Sequence, residues 1–229
     1  MLRQCDGKID VVVMAAGTGG TATGVARKIK EALPDCKIVA VDPKGSDLSL
    51  PVEMNDHPAG YGYQVEGIGY DFVPTVMDRG LFDEWVKVDD DEAFKMARNM
   101  IRHEGMMVGG SSGSCMAGAH TYIRSREAEL KGKRVVVLCA DSTRNYMSKF
   151  LDDKWMAEHG IPFEPALGPE GTEPPSAPLM ASASAKRLRE LNAALQAGHV
   201  TRAEYDDQRA AVLTRYGPPA SMTSSLDTP

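Results

Sequence analysis

The sequence contains no apolar run approaching the roughly 18 residues that a membrane-spanning helix requires. Its first seven residues lack the apolar stretch of a secretory signal peptide. Basic residues are not in excess, since 26 Lys and Arg face 32 Asp and Glu and the net charge is −6. These absences argue against a membrane or a nucleic acid as the partner, and they favour a cytoplasmic location.

Cysteine is scarce, and its spacing is wide. The sequence has four cysteines and no C-x-x-C pair: Cys5, Cys36, Cys115 and Cys139. This pattern does not indicate a disulfide framework or a metal site. It is typical of free thiols in a reducing compartment.

Composition divides the chain into four parts. Residues 1–163 alternate short β-branched runs with helical patterns, and they are numerous enough to bury a sizeable core. Residues 164–183 are rich in Pro, Gly, Ser and Ala, which predicts an extended linker. Residues 184–217 predict a short helical hairpin, and residues 218–229 predict a disordered polar tail.

The first part opens with a strand, a glycine-rich loop, a helix and a second strand. Residues 9–14 are continuously apolar, which predicts a strand buried on both faces. A helical pattern covers residues 22–33, and a second strand pattern covers residues 37–42. Because such a unit implies parallel neighbouring strands, the sequence predicts an α/β fold with a three-layer parallel sheet.

The same alternation recurs further along the chain. The patterns predict, in order, a helix over 90–104, an apolar strand over 106–108, a glycine-rich loop over 109–114, a helix to about 129, a strand over 134–139 and a helix over 142–159.

The first glycine-rich loop joins a buried strand to the start of a helix. Free backbone N–H groups and the positive end of the helix dipole make such a junction an anion site. The hydroxyl groups of Thr18 and Thr21 add further donors. A glycine-rich turn without a ligand is the alternative.

The spacing of this loop does not identify which anion would bind. Gly17-x-Gly19-x-x-Ala22, with Asp42 at the end of the next strand, satisfies the dinucleotide-binding pattern. The same residues also describe a cup for a single phosphate monoester, such as that of pyridoxal phosphate. The second glycine-rich segment, from Gly109, places small donors at another helix start, although a tight turn or close packing would explain it too.

Several motifs occur in an order that is typical of one enzyme family. They are Gln4-Cys5-Asp6-Gly7-Lys8-Ile9-Asp10, Gly17-Thr18-Gly19-Gly20-Thr21, Val41-Asp42-Pro43, Val65-Glu66-Gly67-Ile68-Gly69-Tyr70-Asp71-Phe72-Val73-Pro74-Thr75, Gly109-Gly110-Ser111 and Asp141-Ser142-Thr143-Arg144-Asn145-Tyr146-Met147. Together they resemble the cystathionine β-synthases, pyridoxal-phosphate enzymes of the cysteine synthase superfamily with the fold type II (tryptophan synthase β-like) architecture. The resemblance covers residues 2 to about 160.

The resemblance implies a set of site residues. Gly17, Thr18, Gly19, Gly20 and Thr21 would hold the phosphate of pyridoxal 5′-phosphate, and Ser111 would face its ring nitrogen. Asp141 and Ser142 would lie near that end of the ring. The substrate side would be lined by Gly67, Gly69 and Tyr70.

The resemblance also implies a reaction and partners. The family condenses L-serine with L-homocysteine to cystathionine and water, a step of transsulfuration and cysteine biosynthesis, and its members act on small amino acids as homo-oligomers such as dimers. A cysteine synthase-type β-replacement enzyme is an alternative. A non-catalytic subunit that binds the cofactor or a partner chain is another.

Two elements of the family pattern have no counterpart here. The Schiff-base lysine and the Ser/Thr-Gly-Asn loop for the substrate carboxylate lie upstream of the matched region in the family. We therefore assign no catalytic residue, and we expect a truncated chain that is inactive alone. Lys149 follows Ser148 but belongs to another motif, and we interpret it as a surface lysine.

The C-terminal part carries an amphipathic pattern. Leu188, Leu191, Ala194 and Leu195 share one helix face, and Thr201 to Glu204 has the spacing of a capping box. The pattern resembles the short C-terminal helical hairpin (SHOCT) module, which implies a role in oligomerisation. A solvated helical pair without a partner is the alternative.

Overall fold

The computed structural model describes residues 1–58, 61–163, 188, 191, 194, 195 and 198–216. The chain divides into two compact units, Met1–Asn145 and Tyr146–Pro229. Among the described residues, no helix is long and apolar enough to cross a membrane. The predicted linker over 164–183 and the tail over 218–229 lie outside the described residues, so the predicted domain boundaries stay a prediction.

Four strands form one parallel sheet within the described part of the first unit. They are β1 (Val11–Ala15), β2 (Lys37–Pro43), β3 (Glu84–Val88) and β4 (Val135–Val137), in the order β3-β2-β1-β4. β1 pairs in parallel with both β2 and β4, and β2 pairs in parallel with β3. The predicted α/β class with a parallel sheet is confirmed.

Helices cover both faces of this sheet. The first unit contains α1 (Gly20–Ala32), α2 (Asp90–Glu104), α3 (Gly110–Ser125) and α4 (Glu127–Leu130). The described part of the second unit includes α5 (Asp153–Glu158) and α6 (Arg202–Tyr216). On β1, Val12 belongs to the core cluster that includes Ile29 of α1. Its neighbour Val13 belongs to the cluster that includes Tyr122 of α3. The alternation of β1 side chains between two apolar clusters therefore confirms the three layers.

The strand predicted over 106–108 is wrong. α2 ends at Gly105 in the left-handed conformation, and the N–H group of Met106 donates to the carbonyl oxygen of Met100. These residues therefore close the helix rather than begin a strand, and Met107 is exposed. Only Val108 makes an isolated antiparallel bridge, with Ser142.

The second glycine-rich segment is helical rather than a loop. Residues 110–114 form the first turns of α3, which packs closely on α2. A Cβ atom on Gly113 would lie 2.1 Å from the carbonyl oxygen of Ala93, which leaves no room for a side chain. Close packing, one of the two readings of this segment, therefore explains Gly113.

The long helix predicted over 142–159 is interrupted. A short 3-10 turn covers Thr143–Tyr146, and α5 begins only at Asp153. The carboxylate of Asp152 accepts a hydrogen bond from the N–H group of Lys154. This side-chain cap starts a new helix, which explains why the pattern is not continuous.

β3 was not expected from the sequence, because charged residues interrupt its apolar pattern. Trp85 and Val88 are buried, and the Trp85 ring meets Phe82 edge to face at 5.2 Å between centroids. Lys87 lies between Trp85 and Val88 in the sequence. Its ammonium group pairs with the buried Asp42 of β2. The sequence pattern does not show that a residue far along the chain neutralises this lysine, so the pattern does not reveal the strand.

The second unit contains a small apolar cluster. Leu191, Val200 and Tyr205 are buried together. The N–H group of Thr201 donates to Glu204 Oε2 at 2.7 Å, and the N–H group of Glu204 donates to Thr201 Oγ1 at 3.3 Å. The predicted capping box is therefore confirmed, whereas the predicted SHOCT module stays a prediction.

Candidate functional site

The candidate site lies at the carboxyl end of the parallel sheet. β1 ends at Ala15, and residues 16–19 lead directly into α1, which begins at Gly20. Ligands of open parallel sheets bind at this edge, because the helix N-termini and the connecting loops meet there. The first glycine-rich loop, residues 17–21, therefore occupies the position where a ligand is expected.

The two helices that begin at the glycine-rich segments, α1 and α3, have no side-chain cap. The N-cap residues of α1 and α3 are Gly19 and Gly109, and neither helix has a capping side-chain hydrogen bond. α2 differs, since Asp89 and Glu92 form a capping box at its start. The first N–H groups of α1 and α3 therefore receive no acceptor from their N-cap residues, and both positive helix ends favour an anion or a polar ligand.

The segment that carries Gly67, Gly69 and Tyr70 lies against the first glycine-rich loop. The N–H group of Gly69 donates to the carbonyl oxygen of Ala16 at 2.8 Å. A Cβ atom on Gly17 would lie 2.7 Å from the carbonyl oxygen of Gly67. The structure therefore brings these predicted residues together with the start of the predicted phosphate cup.

The same segment also reaches the start of α3. A Cβ atom on Gly110 would lie 3.7 Å from Val65 Cγ2. Ser111 follows Gly110 and is 6% exposed. Residues 65–70 therefore connect the surroundings of both uncapped helix starts.

Residues 141–143 lie beside the start of α3. The N–H group of Gly109 donates to the carbonyl oxygen of Asp141 at 3.1 Å. The N–H group of Thr143 donates to the carbonyl oxygen of Met107 at 3.2 Å. These two bonds fix the Asp141 and Ser142 backbone next to the turn that precedes Ser111.

The glycines of the first loop are required for different reasons. Gly19 has a φ angle of +86°, and a Cβ atom there would lie 2.5 Å from Met77 Cβ. Gly20 is different, because the protein atoms nearest to a Cβ atom there are Val76 Cγ2 at 3.9 Å and Thr18 Oγ1 at 4.0 Å. Packing within the protein therefore explains Gly19 but does not explain Gly20.

Asp42 is not available to a ribose. It is fully buried, and its Oδ2 atom accepts hydrogen bonds from Lys87 Nζ at 2.7 Å and from Ser49 Oγ at 2.9 Å. A dinucleotide-binding carboxylate must reach the ribose hydroxyl groups. The geometry therefore argues against the dinucleotide interpretation and leaves the phosphate monoester.

Sequence reasoning missed two residues that hold the segment 64–70. The carboxylate of Asp90 accepts hydrogen bonds from the N–H groups of Gln64 at 2.6 Å and Val65 at 3.0 Å. Ser46 Oγ bonds to both backbone groups of Tyr70. Two acidic residues at the start of a helix do mark Asp90 in the sequence, but they indicate a helix cap and not a contact with residues 64–65. Ser46 has no feature in the sequence that indicates its role.

The structure gives no indication that Cys36, Cys115 and Lys149 form a nucleophilic centre. Burial raises the pKa of Cys36 to about 11 and that of Cys115 to about 12, so both remain protonated thiols at neutral pH. Lys149 lies in the second unit and is half-buried. Among the described residues, no group of three or more His, Cys, Asp and Glu could hold a metal ion.

Comparison with known proteins agrees with this geometry. The family model described as "pyridoxal-phosphate dependent enzyme" matches residues 1–141. The chain is similar to cystathionine β-synthase of Rattus norvegicus, with 54% identity over 161 residues, or 70% of this chain and 28% of that protein. It is 54% identical to cystathionine β-synthase of Dictyostelium discoideum over 161 residues, or 70% of this chain and 31% of that protein.

A more distant relative gives the same result. The cystathionine β-synthase of Saccharomyces cerevisiae is 43% identical over 150 residues, or 66% of this chain and 29% of that protein. The chain thus spans less than a third of the length of these curated relatives. Because the family model covers more than half of the chain, and the relatives agree with it, this chain belongs to the family of pyridoxal-phosphate-dependent enzymes.

Proposed function

We propose that this chain supplies the part of a cystathionine β-synthase-type lyase that holds the cofactor phosphate and the cofactor ring nitrogen. The whole enzyme would join L-serine and L-homocysteine to give cystathionine and water. The observation that carries the proposal is the pair of uncapped helix starts at Gly19 and Gly109, which residues 65–70 connect. The similarity to cystathionine β-synthases supports it.

The chemistry of the donors fits the phosphate of pyridoxal 5′-phosphate. Backbone N–H groups at the start of α1 and its positive dipole end favour an anion. The side chains of Thr18 and Thr21 are exposed, so their hydroxyl groups can donate to the phosphate oxygens. The open space at Gly20 lets an oxygen approach the backbone closely.

The ring would extend towards the start of α3. Ser111 is a neutral, nearly buried hydroxyl, and we propose that it hydrogen-bonds the ring nitrogen. A neutral partner does not stabilise a protonated ring nitrogen, as a carboxylate would. This property suits elimination and replacement at the β-carbon of an amino acid.

Each part of the site then has a defined task. When bound, pyridoxal phosphate withdraws electrons from the α-carbon of the amino acid, so that the β-substituent can leave. Residues 17–21 hold the phosphate, Ser111 orients the ring, and Gly67, Gly69 and Tyr70 line the substrate side. Because no residue of this chain corresponds to the Schiff-base lysine of the family, we propose that the chain does not catalyse the reaction alone.

Oligomeric state and location form part of the same proposal. We propose a cytoplasmic homo-oligomer, such as a dimer, that binds small amino acids and no nucleic acid. The net charge of −6 supports the absence of a nucleic-acid partner.

A single substitution at Gly20 tests the proposed phosphate cup. Gly20→Ala should leave the fold intact, because the nearest protein atoms stand 3.9 Å or more from the added Cβ atom and alanine favours a helix. It should weaken the binding of pyridoxal phosphate at least about tenfold, because the methyl group fills the space that a phosphate oxygen would take. Isothermal titration calorimetry measures the affinity of the parent chain and that of the variant.

Gly24→Ala is the matched control. Gly24 lies one turn further along α1, and no atom lies within 4 Å of an added Cβ atom, so this variant should bind like the parent. Pyridoxal without its phosphate and NAD are the comparison ligands, and both should bind more weakly than pyridoxal phosphate. The proposal fails if pyridoxal and pyridoxal phosphate bind equally, or if NAD binds best.

A further inference from the structure

A chain of buried polar groups connects the sheet to the backbone of Tyr70. Lys87 Nζ on β3 donates to Asp42 Oδ2 on β2 at 2.7 Å and to the carbonyl oxygen of Ser46 at 2.6 Å. Ser46 Oγ donates to the carbonyl oxygen of Tyr70 at 3.1 Å and accepts from the N–H group of Tyr70 at 2.9 Å. One serine therefore fixes both backbone polar groups of the residue that we place on the substrate side.

This chain of contacts is closed off from water. Asp42 and Ser46 are fully buried, and the Lys87 side chain is 11% exposed. An apolar replacement of a buried ion pair is often as stable as the pair itself, so stability alone does not explain why charge is placed here. Hydrogen bonds are directional, so they can fix the position of the Ser46 loop relative to the Tyr70 segment, which an apolar pair cannot do.

The bonds around Tyr70 leave its backbone little freedom. The N–H group of Asp47 also donates to the Tyr70 carbonyl oxygen, at 2.8 Å. The preceding residue, Gly69, has a φ angle of +78°, and its N–H group donates to Ala16, the residue that follows β1. The segment is therefore anchored to the phosphate cup on one side and to Ser46 on the other.

We infer that Ser46, held by the Lys87–Asp42 ion pair, is a positioning residue that enables the site to select the cofactor carrying an amino acid over the cofactor alone. Ser46 acts through Tyr70 and Gly69 rather than by touching the ligand. The inference rests on the proposed function, because it takes residues 67–70 as the substrate side and residues 17–21 as the phosphate side.

Two stable ligands separate these two sides. Pyridoxamine phosphate would engage the phosphate cup and Ser111 but not the substrate side. N-phosphopyridoxyl-L-serine, a secondary amine that binds without a Schiff-base lysine, also carries an amino acid. The parent chain should bind the serine adduct more tightly than pyridoxamine phosphate. Ser46→Ala removes both hydrogen bonds to Tyr70, so it should reduce this preference about fivefold and leave the affinity for pyridoxamine phosphate unchanged.

Ser49→Ala is the matched control. Ser49 is a fully buried serine on the same loop, and its hydroxyl group bonds Asp42 rather than Tyr70. This variant should keep the preference for the serine adduct. In amide hydrogen exchange of the unliganded chain, Ser46→Ala should accelerate exchange at Tyr70, and Ser49→Ala should not.

The outcomes distinguish the two proposals. If the parent chain binds neither ligand, the proposed function fails and the inference fails with it. If both ligands bind and Ser46→Ala leaves the preference intact, or lowers both affinities equally, only the inference fails. Should Ser46→Ala not fold, Ser46→Cys keeps a side chain of the same shape but replaces the hydroxyl group by a larger thiol, a weak donor and a weak acceptor. An unchanged preference in that variant would overturn the inference.

Discussion

The carbonyl oxygen of Gly67 lies where the side chain of residue 17 would begin. A Cβ atom on Gly17 would stand 2.7 Å from this oxygen, nearer than a carbon and an oxygen atom approach without strain. The glycine at position 17 is therefore required by another backbone segment, not by its own turn. The proposed phosphate cup and the proposed substrate-side segment therefore depend on each other through this contact.

Gly17→Ala should lower the free energy of unfolding by about 1–3 kcal/mol, because an added methyl group must displace a backbone carbonyl. Urea denaturation followed by circular dichroism measures this change. Gly62→Ala is the control, since no atom lies within 4 Å of its added Cβ atom, and it should change stability by less than about 0.5 kcal/mol. Equal stability of the two variants would contradict the close approach of Gly67.

Lys87→Met should be among the more destabilising substitutions in this chain. It would leave the fully buried Asp42 carboxylate without its cation, which costs about 3–5 kcal/mol. Thermal and urea unfolding measure the loss. Lys28→Met removes an exposed ion pair with Glu31 and should cost at most about 0.5 kcal/mol.

The double variant Asp42→Asn/Lys87→Met tests the reason for this loss. It removes both charges together, so it should recover part of the stability that Lys87→Met loses. A double variant less stable than Lys87→Met would show that the buried charge is not the cause.

Asp83 should make the stability depend on pH. Partial burial raises the pKa of its carboxyl group, but hydrogen bonds from the Lys30 ammonium and the Ile38 N–H group outweigh this effect, so the pKa lies below its ordinary value. A carboxylate with a lowered pKa stabilises the fold above the pKa of the unfolded chain, about 4, and loses this contribution as the pH falls. Asp83→Asn should therefore be less stable than the parent at pH 7.

The difference in the free energy of unfolding between the parent and Asp83→Asn should shrink as the pH falls from 5 towards 3. Urea midpoints at several pH values provide the measurement. A difference that stays constant over this range would mean that the Asp83 charge does not contribute.

The thiols should react with iodoacetamide in an order set by burial. Cys36 and Cys115 are buried, and their pKa values of about 11 and about 12 keep the reactive thiolate rare at pH 8. Cys139 is exposed and should be alkylated first. Peptide mapping by mass spectrometry gives the order, and unfolding in urea should make all sites react; fast labelling of Cys115 in the folded chain would contradict its burial.

Local patterns identified most of the fold. The continuous apolar run before Gly17, the α1 pattern and the second strand are confirmed, with shifts of one or two residues at their ends. α2 runs over Asp90–Glu104, as its pattern predicts. These elements could be recognised because burial on both faces of a strand, or on one face of a helix, leaves a period in the sequence.

Patterns failed where a distant residue, or the end of the preceding helix, decides the local structure. β3 was missed because its lysine is neutralised by Asp42, and the strand over 106–108 was wrong because the end of α2 uses those residues. The candidate site shows the same division. Its glycines and Ser111 stand out in the sequence, whereas Ser46 and Asp90, which hold residues 64–70, do not.

The fold class, the family and the residue types of the proposed cofactor cup could be predicted from the sequence, because these depend on periodicity and on motifs that are contiguous in the chain. The folded structure was needed to distinguish the glycine that serves packing from the glycine that leaves open space beside it. It also showed that Asp42 is buried against Lys87, and that Ser46 holds Tyr70 from a separate loop. These properties depend on distances between residues far apart in the chain, and such distances exist only once the chain has folded.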